Sequence, residues 1–256
     1  MKKMACIFSV IVLLMVPAVS HAVGIEAAIG GWDQDLQGNM SYKATNARTD
    51  TLDFENDLRL EDETRAQGRV KIDMPLVLPN IYLMYTPIEF EGVGEKDVSF
   101  KFGNQRFSAN TPIASRVVMD HLDVGLFYSI PFLKMATFNR LNVDLGLNVK
   151  VTDLEAEVME TGSGKKETES FIAPIPMVYA GVQFKPIETL SLEVEGRGVS
   201  YSENHLYNLI GRVKYKVFGP LFIAGGYRYE SIKLDEEDLS LDTTIEGVFA
   251  ETGFEF

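Results

Sequence analysis

The chain has 256 residues, a formal net charge of −13, 46% hydrophobic residues and one cysteine. Acidity on that scale excludes a nucleic-acid partner, because phosphate recognition needs a basic footprint. A single cysteine excludes an intrachain disulfide, and the chain shows no low-complexity linker, no repeat of helical period and no 3.6-residue apolar stripe; alternation dominates instead.

The first element is "MKKMACIFSVIVLLMVPAVSHA". Lys2 and Lys3, the apolar run from Met4 to Val16 and the small-x-small Ser20-His21-Ala22 read as a secretory signal peptide cleaved after Ala22. It is too short for a transmembrane helix, and no later stretch offers the roughly 18 apolar residues one requires. Cys6 lies inside this segment, so the mature unit, 23–256, is expected to be free of cysteine. Losing Lys2 and Lys3 takes its charge from −13 to −15.

Period-two alternation then marks ten strands, near 23–42, 66–75, 80–92, 114–130, 140–154, 170–185, 188–201, 204–218, 220–234 and 240–256. Eight or twelve are the alternatives, because 93–113, containing "FKFGNQRF", can extend its neighbours or form its own hairpin. Short, Pro-marked turns follow strands two, four, six and eight: 75–80, 131–140, 185–188 and 218–220. Longer polar connections follow most odd strands, at 43–65, 93–113, 155–169 and 235–239, with 202–203 the exception. Short turns at one end and long loops at the other are the signature of an antiparallel up-and-down transmembrane β-barrel.

Alternation alone cannot say which face is inside, since a soluble barrel uses the same pattern with its apolar face inward. Strand length and aromatic placement favour the membrane. The fifth strand sets Leu141, Val143, Leu145, Leu147, Val149 and Val151 against Asn142, Asp144, Gly146, Asn148 and Lys150, an apolar face long enough for a lipid band of about 25 Å. Phe184, Phe218, Phe222, Phe254 and Phe256 fall near one edge, and Phe90, Phe171, Tyr201, Tyr207 and Tyr229 near the other, as two aromatic girdles would.

The last element, "AETGFEF", alternates to the final residue. Together with the leader it resembles the Gram-negative outer-membrane β-barrel proteins, specifically the small barrels of unknown function. The resemblance implies a bacterial outer-membrane location, contact with lipid and lipopolysaccharide, and a terminal strand in which Phe254 and Phe256 are read by the barrel-assembly machinery. Gly253 sits closer to the end than the glycine usual in that signal.

The inward face then carries charges of both signs: Glu26, Arg69, Lys71, Asp73, His121, Asp123, Asp144, Lys150, Glu193, Glu195, Arg197, Arg212, Lys214, Lys216, Arg228, Glu230, Glu251 and Glu255. In a barrel this narrow, long side chains from opposite walls meet, so an ion-paired, plugged lumen is expected. A narrow channel for small solutes uses the same residues and is the alternative. An outer-membrane hydrolase is the third reading. It would draw on His121 with Asp123, or on His205 with Ser202 and Glu203, none at a recognised catalytic spacing. The acidic stretches "DTLDFENDLRLEDETR" and "DEEDLSLD" read as solvated outer loops without the spacing of a cation site. The expectation is a non-enzymatic outer-membrane barrel with a structural or surface-interaction role, with no cofactor, no bound metal and a ligand the sequence does not name.

Overall fold

A computed structural model describes residues 23–42, 50–75, 77–235 and 239–256. The segment read as a signal peptide, residue 76, and parts of the long loops, 43–49 and 236–238, lie outside the described residues.

The strands are β1 (Gly24–Tyr42), β2 (Leu52–Asp53), β3 (Glu63–Asp73), β4 (Asn80–Thr86), β5 (Glu89–Gly94), β6 (Phe100–Phe102), β7 (Gln105–Phe107), β8 (Ile113–Ser129), β9 (Leu141–Glu160), β10 (Lys166–Ile187), β11 (Leu190–Tyr201), β12 (Asn204–Phe218), β13 (Leu221–Asp235) and β14 (Leu239–Glu255). A single helical turn, α1 (Leu133–Ala136), interrupts the β8–β9 connection. Neighbours pair antiparallel in chain order, and β14 returns to β1, so the sheet closes. β4 and β5 are two halves of one stave, parted by Pro87 and Ile88, which leaves ten staves in all.

Closure is carried by the two terminal strands. Glu26 pairs with Glu255 and Ala27 with Phe254, and the ladder runs on to Tyr42 against Leu239. Beyond it Phe256 N–H donates to Ile25 O at 2.9 Å. A closed sheet leaves no free edge strand to aggregate.

The expected loop at 155–169 is mostly strand. β9 and β10 run 20 and 22 residues and meet in a short turn around Gly162 and Gly164. A membrane-spanning strand needs only about 9–11 residues. The outer face of β8 shows where the band stops: Tyr128, Leu126, Val124 and Leu122 are exposed apolar side chains, whereas Asp120 and Arg116 continue the same face beyond them. On β9 the row Leu145, Leu147, Val149, Val151 gives way to Asp153, Glu155 and Glu157. The barrel therefore stands well clear of its apolar band on the loop side.

Candidate functional site: an ion-paired lumen beneath an apolar cap

The interior has two storeys. At the level of the apolar band, inward positions are charged, because an outward apolar face forces the alternate residues into the lumen. Arg212, on β12, is the hub: its guanidinium lies 2.5 Å from Glu26 and 2.6 Å from Glu193 and also bonds Glu251. Lys214 holds the same Glu26 at 2.6 Å, Glu193 at 3.1 Å and Glu255 at 2.9 Å. Lys216 reaches Glu255 at 3.2 Å.

The next layer up is stitched by Arg69, 3.3 Å from Glu251 and 3.6 Å from Glu195, and by Arg197, 3.1 Å from Glu195. Arg197 also stacks 4.4 Å over the Tyr82 ring, where a desolvated cation gains from the aromatic face. Lys71 binds Asp144 at 2.9 Å, and Ser129 and Asn142 each donate to that carboxylate at 2.7 Å.

At the top of this storey Glu230 accepts from Lys150 at 2.7 Å, from Asn208 at 2.6 Å and from Arg228 at 3.0 Å. Asp123 lies 3.6 Å from Lys150 and accepts from Asn148 at 2.6 Å. His121 sits between them with Nδ1 3.1 Å from Met119 O and Nε2 3.1 Å from an Arg228 nitrogen. Arg228 can only donate, which assigns the ring proton to Nδ1.

Above Arg228 the chemistry changes. The guanidinium stacks 4.3 Å from the Trp32 ring, and beyond it Leu36, Met40, Ile88, Phe90, Val117, Val158 and Ile245 form an apolar core. The connections fill it. Leu52, Phe54 and Leu58 from the 50–62 segment are buried, as are Phe100, Phe102 and Phe107 of the β6–β7 hairpin, whose Phe100 and Phe107 rings stack at 5.0 Å. That hairpin turns at Gly103, whose φ of 59° favours a residue without Cβ. Backbone bonds pin it at the mouth: Gly103 N–H donates to Tyr42 O at 3.0 Å and Asn104 N–H to Glu167 Oε1 at 3.0 Å.

Several sequence expectations change here. The 50–65 stretch is not wholly a solvated loop, because its Leu52, Phe54 and Leu58 cap the barrel. Phe90 and Phe222 belong to no girdle: both point inward and are fully buried, and Phe171 packs partly against the upper core. Asp73 is not in the lumen network. Strand parity aims it inward, but it lies at the turn end of β3, beyond the last ion pair, and is exposed. Glu195 lies against Arg69 and Arg197. Arg69, His121, Asp123, Asp144, Lys150, Glu193, Arg197, Arg212, Lys214, Arg228 and Glu230 are all buried together, with Lys71 and Lys216 partly so.

His205 is far from this cluster. Its ring stacks on Tyr207 at 4.9 Å and its Nε2 lies 3.3 Å from Ser231 Oγ, not against Ser202 or Glu203. Trp32, Tyr82 and Tyr179 are interior residues the sequence reading passed over. The alternation Tyr82, Met84, Thr86 carried the signal for Tyr82, since that parity is the buried face of β4.

No protein-family model matches the chain, and no curated protein matches it in sequence. The outer membrane protease OmpT of Escherichia coli superposes with a TM-score of 0.55 at 9% identity, over 95% of this chain and 99% of that one. This is the outer-membrane β-barrel fold. Two other solved structures, Ail, the attachment invasion locus protein of Yersinia pestis, and the translocator domain of the autotransporter NalP from Neisseria meningitidis, also match. Their TM-scores are 0.42 and 0.37, at 11% and 8% identity, covering 92% and 100% of this chain and 99% and 96% of theirs.

In an outer-membrane barrel the short turns and both chain ends face the periplasm, so the apolar cap and acidic wall face outward from the cell. The periplasmic girdle is broader than expected: Phe132, Phe138, Phe184, Phe218, Phe254 and Phe256 are all exposed there, two of them in the α1 connection. Tyr201 and Tyr207 are exposed towards the outer end.

Proposed function

We propose that this protein is a closed, non-enzymatic outer-membrane barrel that acts through the storey standing above the membrane, as a structural or surface-interaction component in contact with lipid and lipopolysaccharide. One observation carries the reading. Across the membrane level, the inward charges engage one another across the lumen, Arg69 of β3 with Glu195 of β11 and Lys150 of β9 with Glu230 of β13, and an apolar cap of loop residues sits over them. A hydrated pore needs free volume along its axis, whereas this lumen is occupied by side chains that neutralise one another.

Conductance across a planar bilayer tests it directly. Folded protein, recognised by heat-modifiable gel mobility, is expected to give no discrete current steps. Reproducible unitary steps would replace the closed reading with a narrow channel. The non-enzymatic part rests on His121 being locked between Arg228 and Met119 inside the lumen and on His205 having only Ser231 and Tyr207 beside it in the contacts described. Phe254 and Phe256 serve, in this reading, as the signal for the barrel-assembly machinery.

A further inference from the structure

Among the described residues the ladder between neighbouring strands stops short in two places, above Val178–Gly198 between β10 and β11 and above Gly68–Tyr85 on β3, and the second is the one that another segment crosses. β3 pairs with β4 only from Gly68 against Tyr85 to Ile72 against Ile81. β5, which continues the stave past Pro87 and Ile88, pairs with β8 alone. Residues Glu63 to Gln67 of β3 therefore face β5 without a ladder.

Side chains and a crossing segment close this seam. Gln34 Nε2 donates to Pro87 O at 2.9 Å, and Arg65 Nη2 donates to Glu89 O at 3.1 Å. Above them the 54–62 segment meets β5 through a lone bridge, Leu60 with Gly92, and a bond from Glu61 N–H to Glu91 O at 3.1 Å. Its approach is so close that a Cβ on Gly92 would lie 2.3 Å from Arg59 O, and one on Gly94 1.9 Å from Asp57 O. Two glycines in β5 thus make the space in which the segment lies.

The surroundings differ on the two sides. Outside, Tyr85 pairs with Leu122, the last lipid-facing residue of β8, so the seam begins at the outer boundary of the apolar band. Inside lie Phe54, Leu58, Ile88 and Phe90, all fully buried. Below them the Arg228, Glu230 and Lys150 cluster bars the axial route.

We propose that the 54–62 segment is a latch over a side port, and that the acyl chain of an outer-leaflet lipid enters the apolar storey through it when the latch lifts. Besides the burial of Phe54 and Leu58 and the Lys96–Asp57 ion pair at 2.5 Å, the segment is held to β5 by one bridge and isolated bonds, so it opens locally at lower cost than a laddered strand. An apolar chain entering there finds apolar side chains ahead and an ion-paired floor beneath, which it could pass only by parting those pairs and leaving buried charge without partners, so it stays in the upper storey. This inference goes beyond the closed-barrel reading, and its test is separate: conductance probes the axis, whereas the port is a property of the side wall.

The experiment uses the chain's one tryptophan, Trp32, which lies fully buried at the base of the upper storey, and the absence of cysteine from residues 23–256. Glu61 and Glu91 lie opposite each other next to the Leu60–Gly92 bridge, at a separation of about 4.5–5.5 Å between Cα atoms that a disulfide spans. In vesicles of phospholipid brominated on its acyl chains, the reduced Glu61→Cys/Glu91→Cys protein is expected to show Trp32 emission quenched relative to unbrominated vesicles. Oxidation should abolish that quenching and reduction restore it, and Arg65→Gln, which removes the stitch to Glu89, should deepen it. Heat-modifiable mobility shows that each variant is folded. Equal quenching in the oxidised and reduced forms, or none in either, overturns the port, and so does an Arg65→Gln protein quenched no more than the wild type.

Discussion

Replacing Arg212 with Met should destabilise the barrel more than any other single change in the lumen. The guanidinium touches Glu26, Glu193 and Glu251, and its side chain is only 2% exposed, so solvent does little to screen what remains. After Arg212→Met, Lys214 still faces Glu26 and Glu193, but Glu251 keeps only Arg69 at 3.3 Å. Breaking a buried ionic cluster by removing one partner costs about 3–5 kcal/mol, because the uncompensated charge stays in place. At about 1.4 kcal/mol per decade that is roughly two to four orders of magnitude in the unfolding equilibrium. Urea unfolding of vesicle-inserted protein, followed by Trp32 emission and heat-modifiable mobility, reads the change. Adding Glu251→Gln to Arg212→Met should recover part of the loss, since it removes the carboxylate left with the fewest partners. A single variant within about 1 kcal/mol of wild type, or a double variant worse than the single, would refute the view that these charges hold the lumen shut as one cluster.

Phe54→Ala should cost about 3–5 kcal/mol, as truncating a fully buried aromatic does, and expose the 50–62 segment to added protease, whereas Phe132→Ala, three-quarters exposed at the periplasmic girdle, should leave protease resistance unchanged. Deleting Phe256 should lower the amount of heat-modifiable barrel in the outer membrane; wild-type levels would remove it from the assembly signal. Asp62, in the loop before β3, has its pKa raised by burial and by the neighbouring Asp35 and Asp33. A carboxyl raised on folding opposes the folded state once ionised and ceases to do so as pH falls through its folded pKa. Asp62→Asn should therefore raise the urea midpoint at neutral pH and lose that advantage at acid pH, and an advantage that persists in acid would count against this origin. Changing His205 to Ala should leave folding and lipid partition intact and abolish no hydrolysis of peptide or ester substrates; a hydrolytic activity lost with His205 would make the barrel an enzyme.

Strand number and lumen charge were legible because one physical constraint writes both. A lipid-facing row such as Leu145, Leu147 and Val149 fixes the parity of its strand, and parity alone puts Asp144, Asn148 and Lys150 inside. The rule lost its grip where the lipid ended. Above the band both faces of a strand carry mixed residues, so Phe90 looks like a girdle residue until β8 and the 54–62 segment are seen to pack over it. Phe54 and Leu58 lie in a polar stretch with no period-two pattern, and their burial, like that of Phe100 and Phe107 in the hairpin that "FKFGNQRF" offered as an alternative, depends on partners far away in the chain. Asp73 shows the reverse failure: its parity is right, but the network ends before the strand does. The seam between β3 and β5 was marked only by Pro87 within a strand and by Gly92 and Gly94 nearby, signals of irregularity that do not reveal which segment fills the space.

The ladder between β1 and β14 makes the order of the strands along the chain largely a matter of bookkeeping. Ile25 N–H donates to Phe256 O at 3.3 Å, so the two ends of the folded unit already touch. A short linker could join them and new ends could be cut at the exposed Gly162–Gly164 turn with the same contacts reassembling. In such a circularly permuted barrel every ion pair and the apolar cap would be retained, while "AETGFEF" would move from the tail to the middle of the chain. Comparing how the permuted and native chains fold unaided in vesicles with how they are inserted in cells would separate what the terminal strand does for the architecture from what it does for delivery.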